Sequence, residues 1–437
     1  MKQKSNALII ANKILPMIFL ITVQNFAQGS SLPSTQNVTL SATPELTLAP
    51  QNPLQKTTCP QLLLKVKNQN CYGACWAMAT TSMLEGLSKI NKYHIPEHTV
   101  SGDALFVRYL QQQVLYNLDA GLDTSIDYLL YFLKNRNFKQ ESNTPDALSL
   151  LLQFGATDEN DYTLPKNRTS FSKSAVLSYL NTRLAKYYQT LIDLIKDFNK
   201  HRTESSRIQQ IFEEVYSSAA DDMFSAITAY FGELPSKTYN IQDLLENKKI
   251  YQIEVNKDYS LPKNKFLNLF LKTRDHDIFY YLDSSDYKST IHFPFKKPEK
   301  YLKNQNEALR AETFSSDRLM MQKNYNLHDA HRALLHNAKN NVPTVMSISW
   351  LNKFENRNLG TLALNNKKPI KLSLNNLMLH AVLVVGVNTK IENNEEVIEA
   401  VTIQNSWGEY VGKNGFYQID ANYLNNYLHD LTWLQDL

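Results

Sequence analysis

The sequence predicts an α+β protein whose helices and antiparallel strands come from different parts of the chain. Apolar residues recur at helical spacing after residue 75 and again between residues 177 and 227. Closer to residue 437, β-branched apolar runs alternate with polar turns, as they do in antiparallel strands. The 437 residues are 43% apolar and 20% charged, which is typical of a globular protein with room for two or three domains.

The first predicted helix begins at a cysteine. Four apolar residues are spaced by three, four and four positions, as on the inward face of a helix: Trp76, Ala79, Met83 and Leu87. Gly73 permits a tight turn just before this helix. A helix N-terminus lowers the pKa of a thiol there, and the thiolate is the nucleophilic form. With Gln69 six residues before Cys75, the segment indicates a nucleophile beside an oxyanion hole.

A histidine and an asparagine lie at the ends of two predicted strands. His380 directly precedes the apolar run 381–387, and Asn405 directly follows the strand 397–404. The polar stretch 388–396 is expected to form the turn, so antiparallel pairing brings His380 and Asn405 side by side. A cysteine followed by such a histidine and asparagine indicates nucleophilic catalysis.

These motifs resemble those of the papain family of cysteine peptidases. Gly73 to Trp76 fits the signature around the family's nucleophile, and Tyr72 stands where that signature has its first cysteine. His380 to Val382 and Asn405 to Gly408 match two further family segments. The resemblance implies a papain-like two-domain fold, with a helical left domain, an antiparallel β right domain and the active-site cleft between them. It also implies a hydrolase that cleaves peptide or protein substrates.

The resemblance implies a role for each matched residue. Cys75 would be the nucleophile, and His380 would take its proton and then donate it to the leaving amine. Asn405 would orient the imidazole, and Gln69 would stabilise the oxyanion together with the Cys75 backbone N–H. The residues that would support the cleft are Trp76, Trp407 and Gly73. Trp407 would shield the histidine–asparagine contact from water, and the mechanism requires no metal or organic cofactor.

The chain divides into six predicted segments. They are a signal peptide (1–29), a linker (30–58), a papain-like helical domain (59–171), a helical hairpin insertion (172–231), an insertion and connecting segment (232–325) and a papain-like β domain (326–437). The signal peptide has a basic start, an apolar stretch from Ile14 to Val23 and small residues at 27–29. That stretch is short of the about 20 residues that a membrane span needs. We therefore expect a secreted or periplasmic protein with no stable membrane span after cleavage.

The sequence has three cysteines, and they fit an exported enzyme. We hypothesise a disulfide between Cys59 and Cys71, which would leave Cys75 as a thiol. In papain relatives the cysteine near the nucleophile pairs with one further downstream, whereas this sequence has none after Cys75. The disulfide is therefore a hypothesis specific to this chain.

Neither the net charge nor the placement of the histidines indicates a partner other than a peptide or protein substrate. The net charge is +4, and three lysines of the predicted signal peptide supply most of it, so a nucleic-acid partner is not expected. His328 and His331 are three residues apart on a predicted helix, as two metal ligands would be. A solvated helix face is the better interpretation of that pair, and we expect no metal site.

A long insertion separates the nucleophile from its base. Cys75 and His380 are 305 residues apart (380 − 75), whereas the family pattern expects roughly 130 to 150. Apolar residues at helical spacing on both sides of the polar stretch 199–204 predict a helical hairpin over roughly 172–231. We hypothesise that this hairpin is a lid. The insertion weakly resembles the bleomycin hydrolase and aminopeptidase C branch, but the C-terminal arm of that branch is expected to be missing.

Two alternatives to proteolysis stay open at this point. The same fold could bind a partner without catalysis, and Cys75 would then react with alkylating agents no faster than an ordinary thiol. The same residues could also hydrolyse or transfer an acyl group of a non-peptide substrate. Residues 143–146 have no glycine pair of the kind that lines the cleft in papain relatives. The sequence therefore does not define the substrate, the choice between endopeptidase and exopeptidase, or the oligomeric state.

Overall fold

The computed structural model describes a helical block and a long mixed sheet within one unit, Pro53–Leu437. The described residues are 55–58, 64–70, 72–91, 99–125, 129–130, 133, 138, 140, 142–164, 170–201, 205–245, 248–255, 292–301, 319–365, 367–370, 372 and 379–436. The predicted signal peptide, Cys59 and Cys71 lie outside these residues. The exported state and the disulfide therefore remain predictions.

Most of the described helices lie before residue 246, and most of the described strands lie after residue 247. The helices are α1 (Cys75–Asn91), α2 (Gly102–Asp119), α3 (Thr144–Phe154), α4 (Ser170–His201), α5 (Ser205–Phe231), α6 (Gln242–Leu245), α7 (Leu327–Lys339) and α8 (Ala421–Tyr427). The strands are β1 (Gln55–Thr58), β2 (Asp123–Ser125), β3 (Lys248–Val255), β4 (His292–Pro294), β5 (Leu319–Tyr325), β6 (Thr344–Ser349), β7 (Glu355–Asn356), β8 (Thr361–Leu362), β9 (Leu379–Glu392), β10 (Glu395–Gln404), β11 (Phe416–Asp420) and β12 (Leu428–Asp436). The predicted α+β class is confirmed.

Several helices begin at a side chain that caps the first turn. A capping oxygen accepts a hydrogen bond from a backbone N–H that the helix itself leaves unused. The caps are Ser101 for α2, Asn143 for α3, Asn326 for α7 and Asp420 for α8. These local signals explain where the chain enters each of the four helices.

The main sheet runs in the order β5, β3, β12, β6, β9, β10, β11, β8 and β7, and β1 pairs with β9. The pairs around β9 are antiparallel, while β3 with β5 and β8 with β11 are parallel. β12 follows the other strands in sequence, yet it lies between β3 and β6. One face of the sheet packs on the helices, and Leu383 and Val385 belong to that core. Residues of the opposite face, such as Val382 and Val384, form a second core with α7 and α8.

The helix α1 is more deeply buried than its apolar pattern predicts. The four residues of the predicted inward face are buried, but so are the polar side chains of Thr80, Thr81 and Ser82. The reason is that α1 packs on β9 as well as on α2 and α3. Thr81 donates its hydroxyl hydrogen bond back to the carbonyl of Ala77 (2.9 Å), so burial leaves this group satisfied. α1 is therefore a central helix of the protein.

The helices α4 and α5 form a hairpin over the interval in which the sequence predicts one. Tyrosines of the hairpin donate hydrogen bonds to the C-terminal end of α2: Tyr187 to the Leu118 carbonyl (3.0 Å), Tyr188 to the Asn117 carbonyl (2.6 Å) and Tyr216 to the Asp119 carboxylate (2.6 Å). The apolar face of the hairpin shares one core with α1 and α2. A lid must leave its contacts when it opens, so this shared core argues against the lid hypothesis.

The turn between β9 and β10 is shorter than the sequence predicts. The polar stretch 388–396 is mostly strand, and only Asn393 and Asn394 form the turn. Both have positive φ values, 52° and 64°, which asparagine tolerates and which a two-residue hairpin turn requires. Polarity alone predicted a loop here because the two strands extend beyond the core, where polar side chains face solvent.

No helix among the described residues combines the length and apolarity needed to cross a bilayer. Within the same part of the chain, no group of three or more His, Cys, Asp or Glu side chains is placed to hold a metal ion.

Candidate active site

His380 and Asn405 meet where β9 begins and β10 has just ended. The His380 Nε2 atom lies 2.7 Å from the Asn405 Oδ1 atom. The backbone N–H of Ser406 donates to the same Oδ1 atom (2.7 Å), which identifies this atom as the amide oxygen. Because an amide oxygen only accepts, the imidazole must carry its hydrogen on Nε2. The Nδ1 atom of a neutral His380 is then the nitrogen that can take a proton.

Two tryptophans enclose the imidazole of His380. The ring of Trp407 stacks on it with a centroid distance of 4.7 Å, and Trp350 meets it edge-on at 5.2 Å. His380 is buried, and burial is the main reason that its pKa is lowered to about 4. The hydrogen bond to Asn405 and the charge of Glu355 act in the opposite direction. At neutral pH the imidazole is therefore uncharged and is in the form of a base.

Trp350 is a site residue that the sequence analysis missed. It follows β6 directly and is 1% exposed. A lone tryptophan after an apolar run does not indicate a neighbouring imidazole. Its position next to His380 follows from the pairing of Ile348 on β6 with His380 on β9.

Cys75 is the first residue of α1, and it is partly exposed. Its backbone N–H therefore lies at the positive end of the helix dipole. The turn before it is held by Gln140, whose side-chain oxygen accepts the Gly73 N–H (3.0 Å) and whose carbonyl accepts the Trp76 indole N–H (2.8 Å). A Cβ atom on Gly73 would lie 3.0 Å from the Gln140 Cβ, so a larger residue there would push Gln140 away by a few tenths of an ångström.

Gln69 joins the cysteine segment to the segment that follows Asn405. Its backbone N–H donates to the Ser406 carbonyl (2.8 Å), and its side-chain oxygen accepts from the Ser406 hydroxyl (2.5 Å). Its side-chain nitrogen donates to the Tyr72 carbonyl (2.9 Å). Nearby, the Gly408 N–H donates to the Lys67 carbonyl (3.0 Å). The predicted oxyanion residue is therefore hydrogen-bonded to Ser406, the residue that follows Asn405.

A buried ion pair supports the segment that carries Gln69. The Lys67 ammonium lies 2.8 Å from the Glu85 carboxylate on α1, and both side chains are almost fully buried. Lys67 also donates to the Val100 carbonyl (2.7 Å), while the Val100 N–H donates to Glu85 (2.6 Å). This pair is not predictable from the sequence, because charged residues are mostly exposed and the partners are 18 positions apart.

A second carboxyl lies close to this pair. Burial is the main reason that the pKa of Asp103 is raised to about 6, and the charge of Glu159 acts in the same direction. The Leu164 N–H bonded to Asp103 and the charge of Lys67 act against that shift. Asp103 lies in the first turn of α2, and its carboxylate accepts a hydrogen bond from the Leu164 N–H (2.8 Å), so we assign it to the support of the fold.

The structure brings most of the predicted site residues into one contact network. Gln69 and Asn405 are linked through Ser406, Asn405 bonds His380, and Trp407 covers that bond. On the helical side, Gly73 and Trp76 are held by Gln140 next to Cys75. The arrangement offers a thiol at a helix N-terminus, an oriented neutral imidazole and a side-chain amide. These groups suit nucleophilic attack on a carbonyl carbon.

Comparison with known proteins extends this picture. Residues 339–436 match the Peptidase C1-like family. No curated protein matches the sequence. Among solved structures, PepW from Lactobacillus rhamnosis HN001 is similar with a TM-score of 0.50 and 14% identity over 84% of this chain and 79% of that one. Xylellain, a cysteine protease from Xylella fastidiosa, gives a TM-score of 0.35 and 14% identity over 88% of this chain and 87% of that one. The expected papain-like fold is confirmed, and identities this low speak to the fold alone.

Proposed function

We propose that this chain, a divergent member of the papain-like cysteine peptidase family, hydrolyses peptide bonds through a thioester on Cys75. The observation that carries the proposal is the 2.7 Å hydrogen bond from His380 Nε2 to Asn405 Oδ1 beneath Trp407. It orients a neutral imidazole and leaves Nδ1 as the basic nitrogen. A base held in this way is what a cysteine nucleophile requires.

The reaction proceeds in two halves. His380 Nδ1 takes the thiol proton of Cys75, the sulfur attacks the peptide carbonyl carbon, and the carbonyl oxygen becomes an oxyanion. The C–N bond then breaks, and the imidazolium gives its proton to the leaving amine. In the second half His380 takes a proton from water, and the resulting hydroxide attacks the thioester. The C–S bond breaks, the acid leaves, and the proton returns to the sulfur.

Gln69 and the first turn of α1 stabilise the oxyanion in this proposal. The amide nitrogen of Gln69 carries two hydrogens and uses one of them for the Tyr72 carbonyl, so the other can point at the substrate oxygen. The Cys75 N–H supplies the second donor at the positive end of the helix. Removal of one such donor from an oxyanion hole costs about 3 to 4 kcal/mol of transition-state stabilisation.

Export is also part of the proposal. The basic start and the apolar stretch from Ile14 to Val23 support a cleavable signal that directs the protein to a secreted or periplasmic location. N-terminal sequencing of protein recovered from the periplasm or medium of a bacterial host is expected to begin near Ser30. Recovery of the full-length chain from the cytoplasm alone would contradict export.

The test of the catalytic proposal compares Cys75→Ala with a variant that keeps Cys75 as its single cysteine, Cys59→Ser/Cys71→Ser. The wild type and the double variant are expected to cleave members of a peptide library and to take up one equivalent of a thiol-directed epoxide. Cys75→Ala is expected to do neither while it keeps the circular dichroism spectrum of the wild type. Retained hydrolysis in Cys75→Ala would contradict the assignment of the nucleophile.

The same experiment separates the two alternative functions. If the wild type cleaves no peptide and Cys75 is alkylated no faster than a free cysteine, the binding-protein alternative is supported. If Cys75 labels rapidly but only non-peptide amides or esters are turned over, the chain is an amidase or acyl transferase. Rapid labelling together with peptide cleavage supports the peptidase.

A further inference from the structure

Tyr72 lies three residues before the proposed nucleophile Cys75, and its ring packs against the helical insertion. Its side chain is 2% exposed, and its ring centroid lies 5.7 Å from that of Phe106 and 5.8 Å from that of Phe231. Phe106 and Phe231 also meet edge-on at 6.0 Å. Phe231 is the last residue of α5 and therefore the end of the hairpin. The insertion therefore contacts the chain just before Cys75 through the rings of Phe231 and Tyr72.

The backbone of Tyr72 is bonded twice to Gln69. The Tyr72 N–H donates to the Gln69 carbonyl (3.1 Å), and the Tyr72 carbonyl accepts from the Gln69 side-chain nitrogen (2.9 Å). A carbonyl only accepts, so this contact fixes which end of the Gln69 amide carries the nitrogen. The Ser406 hydroxyl holds the oxygen at the other end. The position of the Tyr72 backbone therefore determines how the Gln69 amide is oriented.

We propose that Phe231 is a positioning residue for the oxyanion hole: through Tyr72, the end of the helical insertion orients the side-chain amide of Gln69. The inference rests on the proposed function, because it assigns a purpose to that amide. Phe231 is itself held firmly, since the Tyr162 hydroxyl donates to its carbonyl (2.8 Å) and Tyr230 packs edge-on against it (4.7 Å). Fully packed aromatic rings do not shift without leaving a void, so this cluster keeps the Tyr72 carbonyl in place.

The same helix offers a matched control. Phe212 is also on α5 and is also fully buried, but its ring stacks on Phe295 at 4.3 Å and meets that of Tyr216 at 5.8 Å. Truncation of either phenylalanine removes similar apolar contact from the same core. Only truncation of Phe231 removes a ring that touches Tyr72. A general loss of stability therefore affects both variants, whereas a loss of positioning affects one.

The experiment compares Phe231→Leu with Phe212→Leu in the full chain. Hydrogen exchange is followed by mass spectrometry in peptides that cover residues 66–74, where the Gln69 and Tyr72 amides are hydrogen-bonded. Phe231→Leu is expected to speed this exchange by about tenfold, and Phe212→Leu to leave it within about twofold, because local opening follows local contacts. With a cleaved peptide, kcat of Phe231→Leu is expected to fall about tenfold at nearly constant KM, since the oxyanion forms only in the transition state.

A conservative variant checks that the ring is responsible. Tyr72→Phe keeps both ring contacts and is expected to match the wild type in exchange and in kcat, whereas Tyr72→Leu is expected to behave as Phe231→Leu does. Equal changes in Phe231→Leu and Phe212→Leu, or wild-type exchange in Phe231→Leu, would overturn the positioning role. The exchange measurement does not depend on catalysis. If the wild type cleaves nothing but the exchange responds as expected, the peptidase proposal fails while the contact from Phe231 to the Gln69 segment is upheld.

Discussion

The two sides of the candidate active site are built in different ways. On the β side, His380 and Asn405 are 25 residues apart and are delivered by two strands joined through a two-residue turn. On the helical side, the segment that carries Gln69 and Cys75 is held by residues from distant parts of the chain, such as Gln140 and Phe231. The family match, residues 339–436, covers the β side alone. One hairpin therefore supplies both residues of the β side, whereas the helical side depends on contacts between distant parts of the chain.

Substitution of the buried ion pair gives the largest expected effect, and it tests the helical side. Glu85→Gln keeps the size and an acceptor but removes the close counter-charge of the Lys67 ammonium and leaves it only the Glu159 carboxylate, 4.0 Å away. We expect a loss of about 3 to 5 kcal/mol in the free energy of unfolding, because the buried ammonium loses its close partner and is poorly solvated. Urea unfolding measures the loss. Glu159→Gln is the control, since that carboxylate is more exposed and lies 4.0 Å from Lys67, so its loss should cost less than about 1 kcal/mol.

The pH dependence of the free energy of unfolding tests the β side. Burial lowers the pKa of His380 from 6.5 to about 4. Below pH 6.5 the unfolded chain binds a proton that the folded imidazole does not bind, so stability falls as the pH drops towards 4 and then levels off. The difference of roughly 2.5 between the two pKa values corresponds to about 3 kcal/mol. Urea unfolding between pH 7.5 and 4 should show this fall in the wild type beyond that of His380→Gln. Parallel curves for the two proteins would contradict the burial of a neutral imidazole.

Removal of the imidazole's hydrogen-bond partner should reduce activity more than stability. Asn405→Ala frees the ring to rotate, and a misplacement of about 1 Å in a catalytic group costs on the order of 10²-fold in rate. We therefore expect kcat/KM for a cleaved peptide to fall by about 10²-fold. Asn426→Ala is the control, because it removes an amide that bonds the Asn422 carbonyl on the surface (2.7 Å). Activity of Asn405→Ala within a factor of two of that control would remove Asn405 from the mechanism.

The smallest expected effect concerns the turn that delivers the β side. Asn394 has a φ of 64°, a conformation that glycine adopts without a Cβ penalty. Asn394→Gly should therefore stabilise the protein by about 0.5 kcal/mol, measured as a small rise in the midpoint of thermal unfolding. Asn405→Gly serves as the opposing control, since it follows a strand and loses a buried side chain. Destabilisation by Asn394→Gly would show that the positive φ of Asn394 does not reduce the stability of this turn.

The sequence predicted the β side of the site well and the helical side only in outline. The apolar run that begins after His380 and the strand that ends before Asn405 were enough to predict their contact, because antiparallel register converts sequence positions into spatial neighbours. No such rule links Tyr72 to Phe231 or Gly73 to Gln140. Those contacts depend on how whole helices pack, and packing leaves no periodic mark in the sequence. The buried face of α1 was underestimated for the same reason, since Thr80 and Thr81 are polar by type.

The position of β12 has a consequence for how the protein is made. Ribosomes add about 5 to 20 residues per second, so the strands of this sheet emerge over many seconds. β12 emerges after the others and must enter between β3 and β6, whose backbone groups have no partner on that side until it arrives. During that interval the two unpaired strand edges can form hydrogen bonds with other chains. The nascent protein therefore passes through a period of aggregation risk, and holding chaperones are expected to raise its yield.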